Sequence, residues 1–168
     1  VGGGRDGLAL CEAFARAPLP EGHRGVLVTG TQMPPEQKDA VVALARRRHD
    51  LTVLPFLREP IGVMAGAVRL IGMGGYNTTM EMLALAPPAL IVPRCAPRRE
   101  QVMRTERLAA RGLVSMLLPG DLTPDTLGAW MATPVPRAGH APDMDGLARV
   151  QRMVAAMCQT PETSTCAA

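Results

Sequence analysis

Residues 68–83 read VRLIGMGGYNTTMEML. The first five, VRLIG (68–72), form a short apolar run closed by glycine, and NTTMEMLALA (77–86) is a helix candidate. Between them Gly72, Gly74 and Gly75 turn the chain with no side chains in the way. A strand, a glycine turn and a helix start, in that order, make the unit from which parallel α/β sheets are assembled.

The same alternation runs outward on both sides. Strand cores are expected at 26–29, 51–55, 68–71, 89–92 and 114–118, each apolar on both faces as a covered parallel strand should be. Helices are expected in DGLALCEAFARA (6–17), PEQKDAVVALARRRH (35–49), IGVMAGA (61–67), NTTMEMLALA (77–86), REQVMRTERLAARG (99–112) and LTPDTLGAWMA (122–132). Pro35 and Glu36 open the second of these and three arginines close it, which suits the helix dipole at both ends. Gly112 is the expected C-cap of the fifth and Thr123 the expected N-cap of the sixth. The predicted fold class is therefore α/β, a Rossmann-like doubly wound parallel sheet. The nucleotide-binding unit is expected over 1–132, a Pro- and Gly-rich linker over 133–142, a terminal helix of the same domain over 143–157, and a disordered polar tail over 158–168. Val1 is all that the sequence offers of a strand before the first helix. A longer protein, or another chain, is expected to supply that strand.

Composition narrows the function. Aromatic residues make up 2% of the 168 positions, so stacking platforms for bases are nearly absent. Eighteen Lys and Arg against fifteen Asp and Glu give +3, without the dense basic stripe of a nucleic-acid binder. No apolar run approaches the length of a membrane span. Cys11, Cys95, Cys158 and Cys166 are scattered and none lies near His23, His49 or His140, so no zinc site is expected. A reducing cytoplasm fits these cysteines best. Asp143 and Asp145 have D-x-D spacing, but they open the last helix and read as acids that complement its dipole. Neither metal nor cofactor is expected.

Two glycine loops compete for attention. The opening GGGRDG matches G-x-G-x-x-G at Gly2, Gly4 and Gly7. A dinucleotide site would want an acid after the next strand, and Thr29, Gly30 and Thr31 stand there instead. The second loop, at 72–79, leads from a strand into a helix. Unsatisfied backbone donors, the positive dipole end and little steric bulk make an anion site there. A plainer account exists: Thr78-x-x-Glu81 is a capping box as written, with Thr78 as N-cap. After the strand ALIVP (89–93) comes RCAPRREQ (94–101), a basic loop on the same carboxyl edge of the sheet, where loops share one crevice. Its arginines suit phosphate, and Glu100 and Gln101 suit hydroxyls.

The ordered pattern of strand, glycine loop with Thr and Glu, strand ending in VP, then a basic loop closed by EQ resembles the carboxyl-terminal half of GT-B nucleotide-sugar glycosyltransferases, of the MurG-like group. The resemblance covers nearly the whole chain. It implies a domain that holds a sugar nucleotide, UDP-linked in the nearest group, for transfer to an acceptor hydroxyl. Gly3 and Gly4 then match the first diphosphate-side loop. Gly74, Gly75, Asn77, Thr78 and Thr79 match the second, Glu81 the ribose-binding glutamate, and Glu100 with Gln101 the pair that reads the sugar. Arg94, Arg98 and Arg99 would face the leaving diphosphate. The MurG-like loop has serine, glycine and alanine where GGYN stands here, and paired glutamines where Glu100–Gln101 stands. The resemblance places the catalytic base and acceptor site in an amino-terminal domain outside this chain, so the chain alone is expected to be inactive. It also implies a cytoplasmic location, or one peripheral to the inner membrane through that domain. The alternatives are a non-catalytic sugar-nucleotide or protein-interaction domain and a GT-B-like sugar-nucleotide epimerase.

Overall fold

A computed structural model describes residues 6–134 and 145–158. Helices and parallel strands alternate: α1 (Leu8–Arg16), β1 (Gly25–Val28), α2 (Pro35–Ala45), β2 (Leu51–Leu54), α3 (Pro60–Ala65), β3 (Leu70–Met73), α4 (Tyr76–Leu85), β4 (Ala89–Val92), α5 (Glu100–Ala109), β5 (Ser115–Met116), α6 (Pro124–Ala132) and α7 (Gly146–Cys158). The expected α/β class with parallel strands is the observed one.

The described strands form two parallel ladders, β1 with β2, and β3–β4–β5. Gly25 lies opposite Leu51 in the first, and Leu70 opposite Ala89 in the second. No described strand joins the two. What bridges them is α1. Its Leu10, Ala13 and Ala17 side packs with Leu90 and Val92 of β4 and with Leu127 and Met131 of α6. Its Cys11 and Ala15 side packs with Leu27, Met33, Val41, Ala45 and Leu51.

β4 shows why a covered strand is apolar throughout. Its four residues are all buried. Leu90 and Val92 face α1 and α6, while Ala89 and Ile91 face Met82 and Leu83 of α4. Side chains alternate faces along a strand, so burial on both faces requires helices on both. Removing a side chain such as Ile91 from water contributes about 1.5–3 kcal/mol.

Boundaries shift where particular groups dictate. β3 begins at Leu70 rather than at 68, because Pro87 and Pro88 precede its partner strand and Leu70 N–H already donates to the Pro88 carbonyl (3.0 Å). Arg69 is used differently: its guanidinium donates to the Trp130 and Thr133 carbonyls (3.2 and 2.6 Å) and closes the end of α6. α2 stops at Ala45, and Arg48 turns back to the Ala15 and Ala17 carbonyls at the end of α1. Asp50 pairs with Arg48, whose hydrogen bond holds the Asp50 carboxyl below its ordinary range. Thr123 caps α6 as expected, accepting from Thr126 N–H (3.1 Å) in a reciprocal box. The last helix runs over Gly146–Cys158 and leaves Leu147, Val150, Met153 and Val154 exposed. The expected linker over 133–142 and tail over 158–168 lie almost wholly outside the described residues, as does Asp143.

Candidate functional site

The carboxyl ends of β3 and β4 point the same way, so the loops that follow them meet. Gly75 is the N-cap of α4, with extended backbone (φ −61°, ψ 143°), and no side chain caps the helix. The capping-box account therefore fails. Thr78 is the third residue of the helix and Glu81 the sixth, too far along for Glu81 to reach back to the N-cap. Three consequences follow for the residues named from sequence. Asn77 is exposed and Thr78 half-buried at the free first turn. Glu81, half-buried, shares their helix face at spacings of four and three. Gly75 is open, since a Cβ placed there would meet nothing within 4 Å.

Thr79 needs a correction. It is 0% exposed and its hydroxyl donates to the Gly75 carbonyl (2.8 Å), so it faces the interior and steadies the turn. Its backbone N–H donates to the same carbonyl (2.9 Å). Gly74 is buried and pressed against α5. A Cβ there would stand 3.2 Å from Gln101 Cβ and 3.3 Å from Thr105 Oγ1.

The loop after β4 carries the basic groups. Arg98 and Arg99 are exposed, and Arg99 is the N-cap of α5. Arg94 is held otherwise: Nη1 donates to Asp6 Oδ2 (3.0 Å) and Nη2 lies 3.6 Å from Glu100 Oε1. Its Nε is buried without a hydrogen-bond partner. Arg94 thus ties the start of α1 to the start of α5. Gln101 Oε1 accepts the Arg94 backbone N–H (3.0 Å), which fixes the loop and leaves the Gln101 amide nitrogen uncommitted to that bond. Gly3 and Gly4 lie outside the described residues. Asp6 and Arg104, which the sequence reading passed over, belong to the site's framework. Asp6 stood in plain view inside the first glycine loop. Arg104 is three residues beyond Gln101 on the same helix, and its Nη2 donates to the Gly74 carbonyl (2.6 Å).

Electrostatically, α4 offers its free N–H groups with no acid in its first turn. Two exposed guanidiniums stand on the neighbouring loop. The combination suits a compact anion, with carboxylate and amide side chains beside it for hydroxyl groups. His23 and His49 precede β1 and β2 and so lie at the opposite, amino edge of the strands. Among the described residues no three His, Cys, Asp or Glu side chains gather as a metal set, and no helix is long and apolar enough to cross a membrane.

No protein-family model matches the chain. Two curated proteins do, both UDP-N-acetylglucosamine–N-acetylmuramyl-(pentapeptide) pyrophosphoryl-undecaprenol N-acetylglucosamine transferases. The one from Bacillus cytotoxicus is 25% identical over 133 residues, and the one from Bacillus cereus 26% over 130 residues. Each match takes in 75% of this chain but only 35% of the relative's length, in its carboxyl-terminal part. Among solved structures, MurG of Acinetobacter baumannii superposes with a TM-score of 0.70 at 21% identity, over 92% of this chain and 48% of that one. The glycotransferase of kitacinnamycin gives 0.51 at 21% identity, over 88% of this chain and 34% of that one. The architecture is the Rossmann-like carboxyl-terminal half of the GT-B fold.

Proposed function

We propose that this homologue of MurG N-acetylglucosamine transferases is the donor-binding half of a GT-B glycosyltransferase, and that it holds a UDP-linked sugar. The observation that carries the reading is the uncapped start of α4: Gly75 open, Asn77 exposed, Thr78 beside it, and the loop bearing Arg98 and Arg99 across the crevice. Departure of a nucleoside diphosphate leaves negative charge that fixed donors stabilise without reorganising. The N–H groups of α4 supply such donors. Arg98 and Arg99 supply charge that side-chain rotation brings in. Glu81 accepts from ribose hydroxyls, while Glu100 and the free amide nitrogen of Gln101 hold the sugar. Arg94 acts as a brace between α1 and α5 rather than as a phosphate ligand. Thr79 serves through the Gly75 carbonyl. The acceptor site and the base that deprotonates the acceptor hydroxyl belong to a part of the protein outside this chain. Any peripheral attachment to the inner membrane would run through that part too.

Glu81 provides the test. With no capping role to lose, Glu81→Ala should leave the urea midpoint nearly unmoved. Loss of a charge-assisted hydrogen bond to ribose should weaken UDP binding by about 1.5–3 kcal/mol, read by titration calorimetry on the full-length protein. An unchanged dissociation constant removes Glu81 from the site.

A further inference from the structure

Arg104 occupies the second turn of α5 and reaches the glycine turn before α4. Its Nη2 donates to the Gly74 carbonyl at 2.6 Å, a short, charge-assisted bond. Its guanidinium carbon lies 5.7 Å from the centre of the Tyr76 ring, which seats the group over the glycine turn. Its Nε is buried without a hydrogen-bond partner. A buried, unpaired donor on a charged group is costly, and a methionine would fill the same space without it. That cost is set against what its other nitrogens do.

What they do follows from the planarity of the peptide unit. In a trans peptide the carbonyl of one residue and the N–H of the next point in opposite directions. Drawing the Gly74 carbonyl toward α5 turns the Gly75 N–H away from α5. The next peptide is fixed as well, because the Gly75 carbonyl accepts both the N–H and the hydroxyl of Thr79 (2.9 and 2.8 Å). A Cβ on Gly74 would be tight against Gln101 and Thr105, whereas Gly75 stands in open space. One glycine lets the loop sit down on α5, and the other lets something approach from the far side.

We infer that Arg104 is a positioning residue that sets the Gly74–Gly75 peptide so that the Gly75 N–H faces the diphosphate of a bound nucleotide. This rests on the donor-binding reading above and adds to it the group that aims the first backbone donor. On this inference Arg104 acts through the peptide that meets the phosphate end, so its effect is confined to ligands that carry phosphate.

The test compares UDP with uridine on the full-length protein, by calorimetry for UDP and by NMR titration for uridine. Arg104→Met keeps the stem and removes the fork. It should weaken UDP at least tenfold and leave uridine within twofold. Arg104→Lys, which can donate once to the same carbonyl, should recover part of the loss. Tyr76→Leu, which removes the seat but not the donor, should give a smaller loss in the same direction and keeps the test available if Arg104→Met does not fold. UDP affinity unchanged in Arg104→Met, or UDP and uridine weakened in equal ratio, overturns the inference while the donor-binding reading stands. A wild-type protein that binds neither ligand overturns the reading itself, and this inference with it.

Discussion

Cys11 is 1% exposed between α1 and the first ladder, and burial pushes its thiol up to about 11. The thiolate is the reactive form, so at pH 8 Cys11 should resist dithiobis-nitrobenzoate in the folded protein and react only in urea. Cys95 and Cys158, both exposed, should react at once. Rapid native modification of Cys11, mapped by mass spectrometry, would mean that α1 does not pack as described. Ala86 presents the opposite problem. It closes α4 in the left-handed region at φ 54°, where a Cβ is strained by about 1–2 kcal/mol. Ala86→Gly relieves that strain and gives back part of it in unfolded-chain entropy. A net gain of about 1 kcal/mol in urea melts is expected, and destabilisation would contradict the backbone angle. Among individual residues, Thr123 as a cap was legible because its side chain acts locally. Thr79 was not. Whether a hydroxyl at the start of a helix faces outward or folds back on a carbonyl depends on where the helix begins, and α4 begins one residue earlier than its pattern suggests.

Elements were read well where apolarity alone decides them and less well where distant backbone does. β4 was placed to the residue because both its faces are covered. β5 was expected over 114–118 and holds only Ser115–Met116, since it pairs with no more than Leu90 and Ile91. β3 slid by two residues because its register is set by the prolines before β4. Helix packing has equally specific demands. A Cβ on Gly128 of α6 would stand 2.6 and 2.8 Å from the ring carbons of Pro18. A proline ring cannot rotate out of the way, so Gly128→Ala should force α6 outward and destabilise the fold by about 1–3 kcal/mol, measured as a lowered urea midpoint. No change would show that the contact is loose. The two glycines of the candidate site differ in the same terms: Gly74 is confined by α5, and Gly75 is not confined at all.

For the molecule as a whole, the order of strands and helices and the crevice at their carboxyl ends were visible in the sequence, because alternation of apolar runs and glycine turns is a local record. The braces were not. Arg94 with Asp6, Arg104 with Gly74, and Arg48 with the end of α1 join positions 88, 30 and more than thirty residues apart, and no spacing rule reaches that far. The packing of α1 on α6 spans greater separation still. Leu10, Ala13 and Ala17 find their buried partners in Leu90 and Val92 of β4 and in Leu127 and Met131 of α6. A ribosome delivers these partners only after more than seventy further residues for β4 and more than a hundred for α6. While the intervening residues are being added, that flank of α1 is bare hydrocarbon in water, the kind of transient surface on which nascent chains aggregate or recruit chaperones. The time that flank spends at risk is thus set by how long translation takes to travel from α1 to α6.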